Sequence, residues 1–270
     1  MGKELVRPVF LSPHLDDVAL SCGGFIWQQA QRGLRPIVVT VFAGVPDYHT
    51  LSPFAAELHR SWGLGRDPVA QRRCEDATAM SYLGAEYEHW DYVDCIYRRQ
   101  AQTGEFLYAS VPALYGELRG DEQKLVGELA ARLLSALPRE PTELYVPLAV
   151  GHHVDHQLVS LAGLHLRKKG LSVQFYEDFP YAESSENLAD ALGLWTVAPT
   201  PTVRALDERS LKAKTAAIGL YRSQLDMLFG GEEEMARRLS SYALAVGGGS
   251  SYGERYWQGG ERRLSPHVPQ

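Results

Sequence analysis

Five short runs rich in β-branched and aromatic residues alternate along the chain with stretches of helical period. That alternation restricts the fold more than any other feature. Arg7 to Leu11 reads as a buried strand, and Val18 to Arg32 as a helix that Gly33 can stop. The run RPIVVTVFA, Arg35 to Ala43, is a second strand. A helix over Asp67 to Leu83, closed by Gly84, precedes the third strand candidate, EYEHWDYV. A helix over Asp121 to Leu137 leads to the fourth strand, TELYVPLAV, and a helix from about Asp155 to Lys169 leads to the fifth, LSVQFYED. A late helix spans Leu206 to Tyr221. This order predicts an α/β, Rossmann-like fold: a mostly parallel sheet with helices on both faces.

Ligands in such sheets bind at the carboxyl ends of the strands. Two long connections without clear period, Gly44 to Gly65 and Asp94 to Gly120, are therefore expected to be active-site loops at that edge. The Gly-rich end, Ala245 to Gln270, is expected to be loosely ordered apart from a strand near Tyr256 and Trp257. The 270 residues, 45% of them hydrophobic, suit a single domain. Its core is expected over about residues 7–225, with residues 226–270 as a C-terminal extension.

Composition narrows the function classes. No run of about 18 apolar residues occurs, so no membrane span is expected, and MGKELVRP lacks the apolar core of a signal peptide. Three scattered cysteines form no CxxC and no disulfide framework, which points to a reducing cytoplasm. A net charge of −6 argues against a nucleic-acid partner. A homo-oligomer is left open.

The strand ends carry the chemistry. The first strand runs into SPHLDDVALSCGG, where His14, Asp16 and Asp17 precede a helix. Asp at such a position commonly caps the helix, but capping needs one Asp, not a His and two Asp. The fourth strand runs into GHHVDHQLV, with His152, His153, Asp155 and His156; three of the nine histidines fall within five positions. Two strands of one parallel sheet thus bring His and Asp to one edge, which is how a metal site is assembled from distant segments. Two His and one carboxylate make a catalytic zinc set with a position open for water. The residues alone leave the ligands open, because His152 and His156, four apart, would share a helical face. A dinucleotide-binding reading fails, since the first strand–helix turn lacks G-x-G-x-x-G; Gly23 and Gly24 fall inside the helix, where small residues permit close packing.

These motifs resemble those of the PIG-L/LmbE-like zinc deacetylases. PHLDD is similar to their Pro-His-x-Asp-Asp element and HVDH to their His-x-Asp-His element; RRCEDATAMSYLG resembles their Arg-x-x-Glu helix, and KTAAIGLYRSQ their late helix ending in Tyr-x-Ser-Gln. Val18 stands where the family usually has an acidic residue. The resemblance covers residue 7 to about 225 and implies zinc, replaceable by Fe²⁺, Mn²⁺ or Co²⁺, held by His14, Asp17 and His156. Asp16 then becomes the general base for a zinc-activated water, with a supporting hydrogen bond to a ligand His as its alternative. His153 resembles the family's oxyanion-stabilising histidine, acting as an imidazolium, with Asp155 holding its tautomer and raising its pKa. Arg72 and Asp94 match the positions that contact sugar hydroxyls, although Arg73 competes with Arg72 for that register and Asp94 can serve as a turn residue. Glu75, Tyr221, Ser223 and Gln224 are expected to brace the structure, and most aromatics of the long connections to pack them onto the body.

The implied activity is hydrolysis of an N-acyl group, acetyl foremost, from an N-acetylglucosamine-type amino sugar or its glycoside. An amidase for a thiol-sugar conjugate and a metal-containing carbohydrate-binding protein are the alternatives.

Overall fold

The computed structural model describes residues 6–262. Residues 263–270, the end of the segment expected to be loose, lie outside the described residues, as does most of MGKELVRP. The strands are β1 (Arg7–Ser12), β2 (Ile37–Thr40), β3 (Glu86–His89), β4 (Thr142–Pro147), β5 (Ser172–Tyr176), β6 (Trp195–Val197), β7 (Thr200–Leu206), β8 (Tyr252–Gln258) and β9 (Glu261–Arg262). The helices are α1 (Asp17–Gln31), α2 (Pro53–Ser61), α3 (Pro68–Leu83), α4 (Val111–Leu114), α5 (Glu122–Ala136), α6 (Val154–Lys168), α7 (Ser185–Gly193), α8 (Glu208–Ile218), α9 (Arg222–Phe229) and α10 (Glu232–Val246).

Seven strands form one sheet in the order β3-β2-β1-β4-β5-β8-β7. The first five are parallel; β8 runs antiparallel to β5 and to β7. Alternation along the strands feeds two cores. Val9 and Leu11 of β1 face one layer, packed with Leu129, Leu133, Leu158 and Ala162 of α5 and α6. Phe10 faces the other, with Val18, Cys22 and Ile26 of α1, Met80 of α3 and Tyr145, Tyr176 and Tyr256. Helices therefore cover both faces, as the strand–helix alternation predicts.

The C-terminal segment departs from expectation. The strand expected near Tyr256 and Trp257 forms as β8, but the segment around it is not loose, and β8 is an inner strand paired on both edges. Its Glu254, 4% exposed, accepts hydrogen bonds from the Gly24 and Phe25 amides of α1 and from Lys214 Nζ at 2.8 Å. α1 can approach this closely because residue 24 is glycine: a Cβ there would lie 2.6 Å from Leu206 Cδ1. The long connections are also more ordered than their lack of period suggests. The first holds α2, introduced by Ser52, whose Oγ caps the Ala55 amide. The second holds α4 and a 3₁₀ turn over Cys95–Tyr97. Both connections, with their buried Trp62, Tyr97 and Tyr108, share a satellite core at the carboxyl edge.

Candidate active site

β1 ends at Ser12, and the chain turns through Pro13, His14, Leu15 and Asp16 before α1 begins. The capping alternative does not hold for Asp16. It stands at the N-cap but makes no side-chain cap bond, and its φ of 153° lies where non-glycine residues are rarely found. Ser12 Oγ instead takes the Val18 amide at 3.2 Å. Both carboxylates are thereby released from capping. Asp17 Oδ2 accepts the His14 amide at 2.7 Å, which locks the turn.

β4 delivers the second cluster through a turn with three positive-φ residues before the helix, Ala149 at 65°, Gly151 at 83° and His152 at 61°. A side chain at 151 would also strike Tyr181, 2.8 Å from its Cγ. Because the backbone is left-handed at His152, α6 cannot include it. His153 is the N-cap and the helix begins at Val154. The His152–His156 helical pair is therefore not formed; the three histidines that come together among the described residues are His14, His153 and His156.

Across the edge, Asp17 Oδ2 lies 3.1 Å from His14 Nδ1 and 3.3 Å from His156 Nε2. Donors holding one cation at about 2.0–2.1 Å with tetrahedral angles stand roughly 3.3 Å apart, so the spacing fits a divalent ion. His156 Nε2 is buried and has no other hydrogen-bond partner, an orphan that a cation would satisfy. Each imidazole turns its other nitrogen to a buried carboxylate: His14 Nε2 to Asp155 Oδ2 at 2.9 Å, and His156 Nδ1 to Asp178 Oδ1 at 2.7 Å. Such partners fix the tautomer and aim of metal-binding histidines. Asp178 follows β5 and also accepts the Val150 amide. No motif in the sequence marks it. Its buried position beside His156 exists only in the folded chain.

Asp155 overturns one expectation. Its carboxylate does not hold His153. Besides His14 it accepts the Cys95 amide at 3.0 Å and pairs with Arg98 Nη1 at 2.5 Å. Burial pushes its carboxyl up, but Arg98 and His14 outweigh that and keep it well below the usual range. Arg98 also pairs with Glu122, which accepts from Tyr108. A chain of buried ionic contacts thus ties His14 to the second long connection. Nothing in the sequence singled out Arg98 or Glu122.

His153 is held by its helix instead: Nδ1 accepts the Asp155 backbone amide at 3.3 Å. With Nδ1 an acceptor, the neutral ring carries its proton on Nε2. Burial, then the neighbouring His14 and His156, push its pKa well below the ordinary value. The expected imidazolium is replaced by a neutral N–H donor, a form that helix N-termini favour.

Asp16 and Asp17, adjacent in sequence, are driven apart electrostatically. Burial pushes Asp16 up to about 7, only partly offset by Arg72. Burial also raises Asp17, but the imidazoles of His156 and His14 hold it well below the normal range. One carboxylate is suited to stay anionic beside a cation, the other to exchange a proton.

Arg72 is the arginine that reaches the site. It is 8% exposed, its Nη2 3.5 Å from Asp16 Oδ2 and its guanidinium stacked 4.9 Å from the Trp62 ring. Arg73 turns outward to Asp91. Asp94 does two things: Oδ1 caps the 3₁₀ turn at the Ile96 amide, and Oδ2 lies 3.7 Å from His14 Nε2. His14, Asp16, Asp17, Trp62, Arg72, Asp94 and His153 line one cavity of about 380 Å³. Gln224, expected only to brace, lines it too, while Glu75 does brace, accepting the Ser223 amide and hydroxyl.

An α/β sheet whose carboxyl edge can grip a divalent cation beside a carboxylate near neutrality is the scaffold of a hydrolase. Comparison with known proteins narrows the class. The family model described as GlcNAc-PI de-N-acetylase, PIG-L, matches residues 9–166. The 2'-N-acetylparomamine deacetylase of Niallia circulans is 32% identical over 278 residues, 95% of this chain and 92% of that protein. A zinc-inhibited form of teicoplanin deacetylase superposes with a TM-score of 0.82 at 31% identity, covering 93% of this chain and 97% of that one. The A40926 pseudoaglycone deacetylase does so with a TM-score of 0.77 at 28% identity, covering 96% and 99%. The chain belongs to the PIG-L family and is a hydrolase of the N-deacetylase class. No helix of the described residues is long and apolar enough to cross a membrane.

Proposed function

We propose that the protein removes the acetyl group from an N-acetylglucosamine-type amino sugar carried in a glycoside. The observation that carries this reading is geometric: Asp17 Oδ2 stands 3.1 Å from His14 Nδ1 and 3.3 Å from His156 Nε2, and the buried Asp16 carboxylate lines the cavity beside them. The names of these relatives state action on 2'-N-acetylparomamine, teicoplanin and the A40926 pseudoaglycone, which supports an acetylated amino sugar.

His14, Asp17 and His156 hold the cation, zinc in the first instance, with Fe²⁺, Mn²⁺ or Co²⁺ able to replace it. When bound, the cation supplies Lewis-acid polarisation of the amide carbonyl and acidifies the attacking water. Asp16 accepts the water's proton as its oxygen bonds to the acetyl carbon. His153 Nε2–H donates to the carbonyl oxygen as negative charge gathers there. Asp16 then returns the proton to the departing sugar nitrogen, and the C–N bond breaks to give acetate and the free amine. Arg72, paired with Asp16 and stacked on Trp62, and Asp94 hold sugar hydroxyls at the cavity floor.

Acetate release from the methyl glycoside of N-acetylglucosamine, with and without a chelator, tests the reading. Turnover lost on chelation and restored by Zn²⁺ is expected. Undiminished turnover in metal-free protein would overturn the cation's role, and no release from any acetylated glycoside by metal-loaded protein would overturn the deacetylase reading.

A further inference from the structure

The cavity has a charged floor and an apolar mouth, and that contrast bears on what the amino sugar is attached to. Its floor groups Asp16, Asp17 and Arg72 are 6, 8 and 8% exposed. At the opening, Val111 and Met227 are 55% and 44% exposed. Phe54 and Leu58 of α2, Leu228 of α9 and the more deeply buried Leu114 of α4 line the same cavity. These six residues come from segments outside the parallel sheet. α2 and α9 meet at the cavity, Ser61 Oγ lying 4.0 Å from Met227 Sδ. None of the lining residues that α2, α4 and α9 supply is charged; the nearest charged group of the second long connection, Asp94, sits beside His14 on the floor.

A collar of this kind suits one chemical class. Exposed apolar side chains grouped around a binding cleft mark a surface that a ligand covers. A polycationic aglycone would call for carboxylates at the opening, and the lining has none there. The geometry points to a substrate whose amino sugar carries an aromatic or alkyl aglycone, seated on the collar of Phe54, Leu58, Val111, Leu114, Met227 and Leu228. This rests on the deacetylase reading above and specifies its substrate class. The acetamide reaches the floor, the sugar ring spans the waist, and the aglycone buries the collar. Binding energy gained away from the reacting bond then holds the amide against Asp16 and His153.

The test compares three N-acetylglucosaminides on the metal-loaded protein: methyl, p-nitrophenyl, and one bearing a polycationic aminocyclitol. Burying a phenyl ring should raise kcat/KM at least about tenfold over the methyl glycoside, mainly through KM. The polycationic glycoside should fall below the methyl one. The double variant Val111→Asp, Met227→Glu replaces side chains already facing solvent, so the fold should persist. It should bring the aryl-to-methyl ratio of kcat/KM close to one and favour the polycationic substrate. Equal aryl and methyl values in the wild type, or a polycationic glycoside as the best substrate, would overturn the assignment. Calorimetric Kd values for the same glycosides keep the two readings separable. If no acetate is released but the aryl glycoside still binds at least tenfold tighter, the deacetylase reading falls and the apolar collar stands. If the three Kd values are equal, the collar falls.

Discussion

Asp155 grips His14 across 141 positions of sequence, Oδ2 to Nε2 at 2.9 Å, while His153, two residues away, receives only its backbone amide. The carboxylate of the His-x-Asp-His element therefore serves the end of the neighbouring parallel strand, β1. Asp155→Ala should lower metal affinity about 10–100-fold, as loss of a partner behind a metal-binding histidine does. Titration of the apo variant with Zn²⁺ measures this; intact affinity with a fallen kcat would return Asp155 to His153.

Asp178 stands behind His156 as Asp155 stands behind His14, at 2.7 Å. Asp178→Ala should weaken metal binding by a similar factor, roughly 10–100-fold, and should also lower stability, because the buried Val150 amide loses its acceptor. Metal content after dialysis and a thermal melt give the two readouts. An unchanged metal content would remove Asp178 from the site.

Asp16→Asn keeps the size of the side chain and removes its ability to take a proton. Metal should stay bound, while kcat should fall about 10²–10⁴-fold with KM little changed. Activity within a few-fold of wild type would mean that another group is the base.

His153→Ala should retain metal and lose on the order of 10²–10³-fold in kcat. The tautomer set by the helix cap makes a further distinction. His153→Gln, which can still offer a neutral N–H, should recover part of the loss, whereas a role that needs an imidazolium would show no recovery. His152→Ala should be mild, since His152 lies before the helix and is not one of the three histidines that come together.

Arg98→Ala leaves Asp155 and Glu122 buried without their cation. Removing one partner of a buried ion pair costs about 3–5 kcal/mol, so a clear drop in Tm is expected, together with weaker metal binding through the freed Asp155. Arg98→Lys keeps the charge without the fork that reaches two carboxylates, and should recover the Tm in part. A melt that does not move would show that the chain of contacts from His14 to Glu122 carries no stability.

Much of the fold was legible before the structure. The five parallel strands and their main helices are local patterns of apolar period and turn residues, and the boundaries fall within a few residues of the sequence expectations. β7 was missed, and β8 was foreseen only as a strand near Tyr256 and Trp257 without a place in the sheet, for a physical reason: Thr200–Leu206 is largely exposed and carries Pro201, and β8 follows a Gly-rich turn, so neither shows the apolar alternation of a core strand. Their place in the sheet depends on pairing with each other and with β5, partners that no local pattern names. α9 escaped notice because its buried side, Gln224, Leu225 and Phe229, has a partner only once the chain is folded.

The site divides the same way. By itself the sequence determined which strand ends carry His and Asp, because those residue types stand out against apolar strands. Tertiary structure alone decided which nitrogen faces which oxygen. It placed His152 outside α6 through a left-handed backbone, put Asp155 behind His14, and recruited Asp178 and Arg98 from segments without a motif. A carboxylate's partner is set by distances between chain segments far apart in sequence, and a local pattern holds no information about those distances.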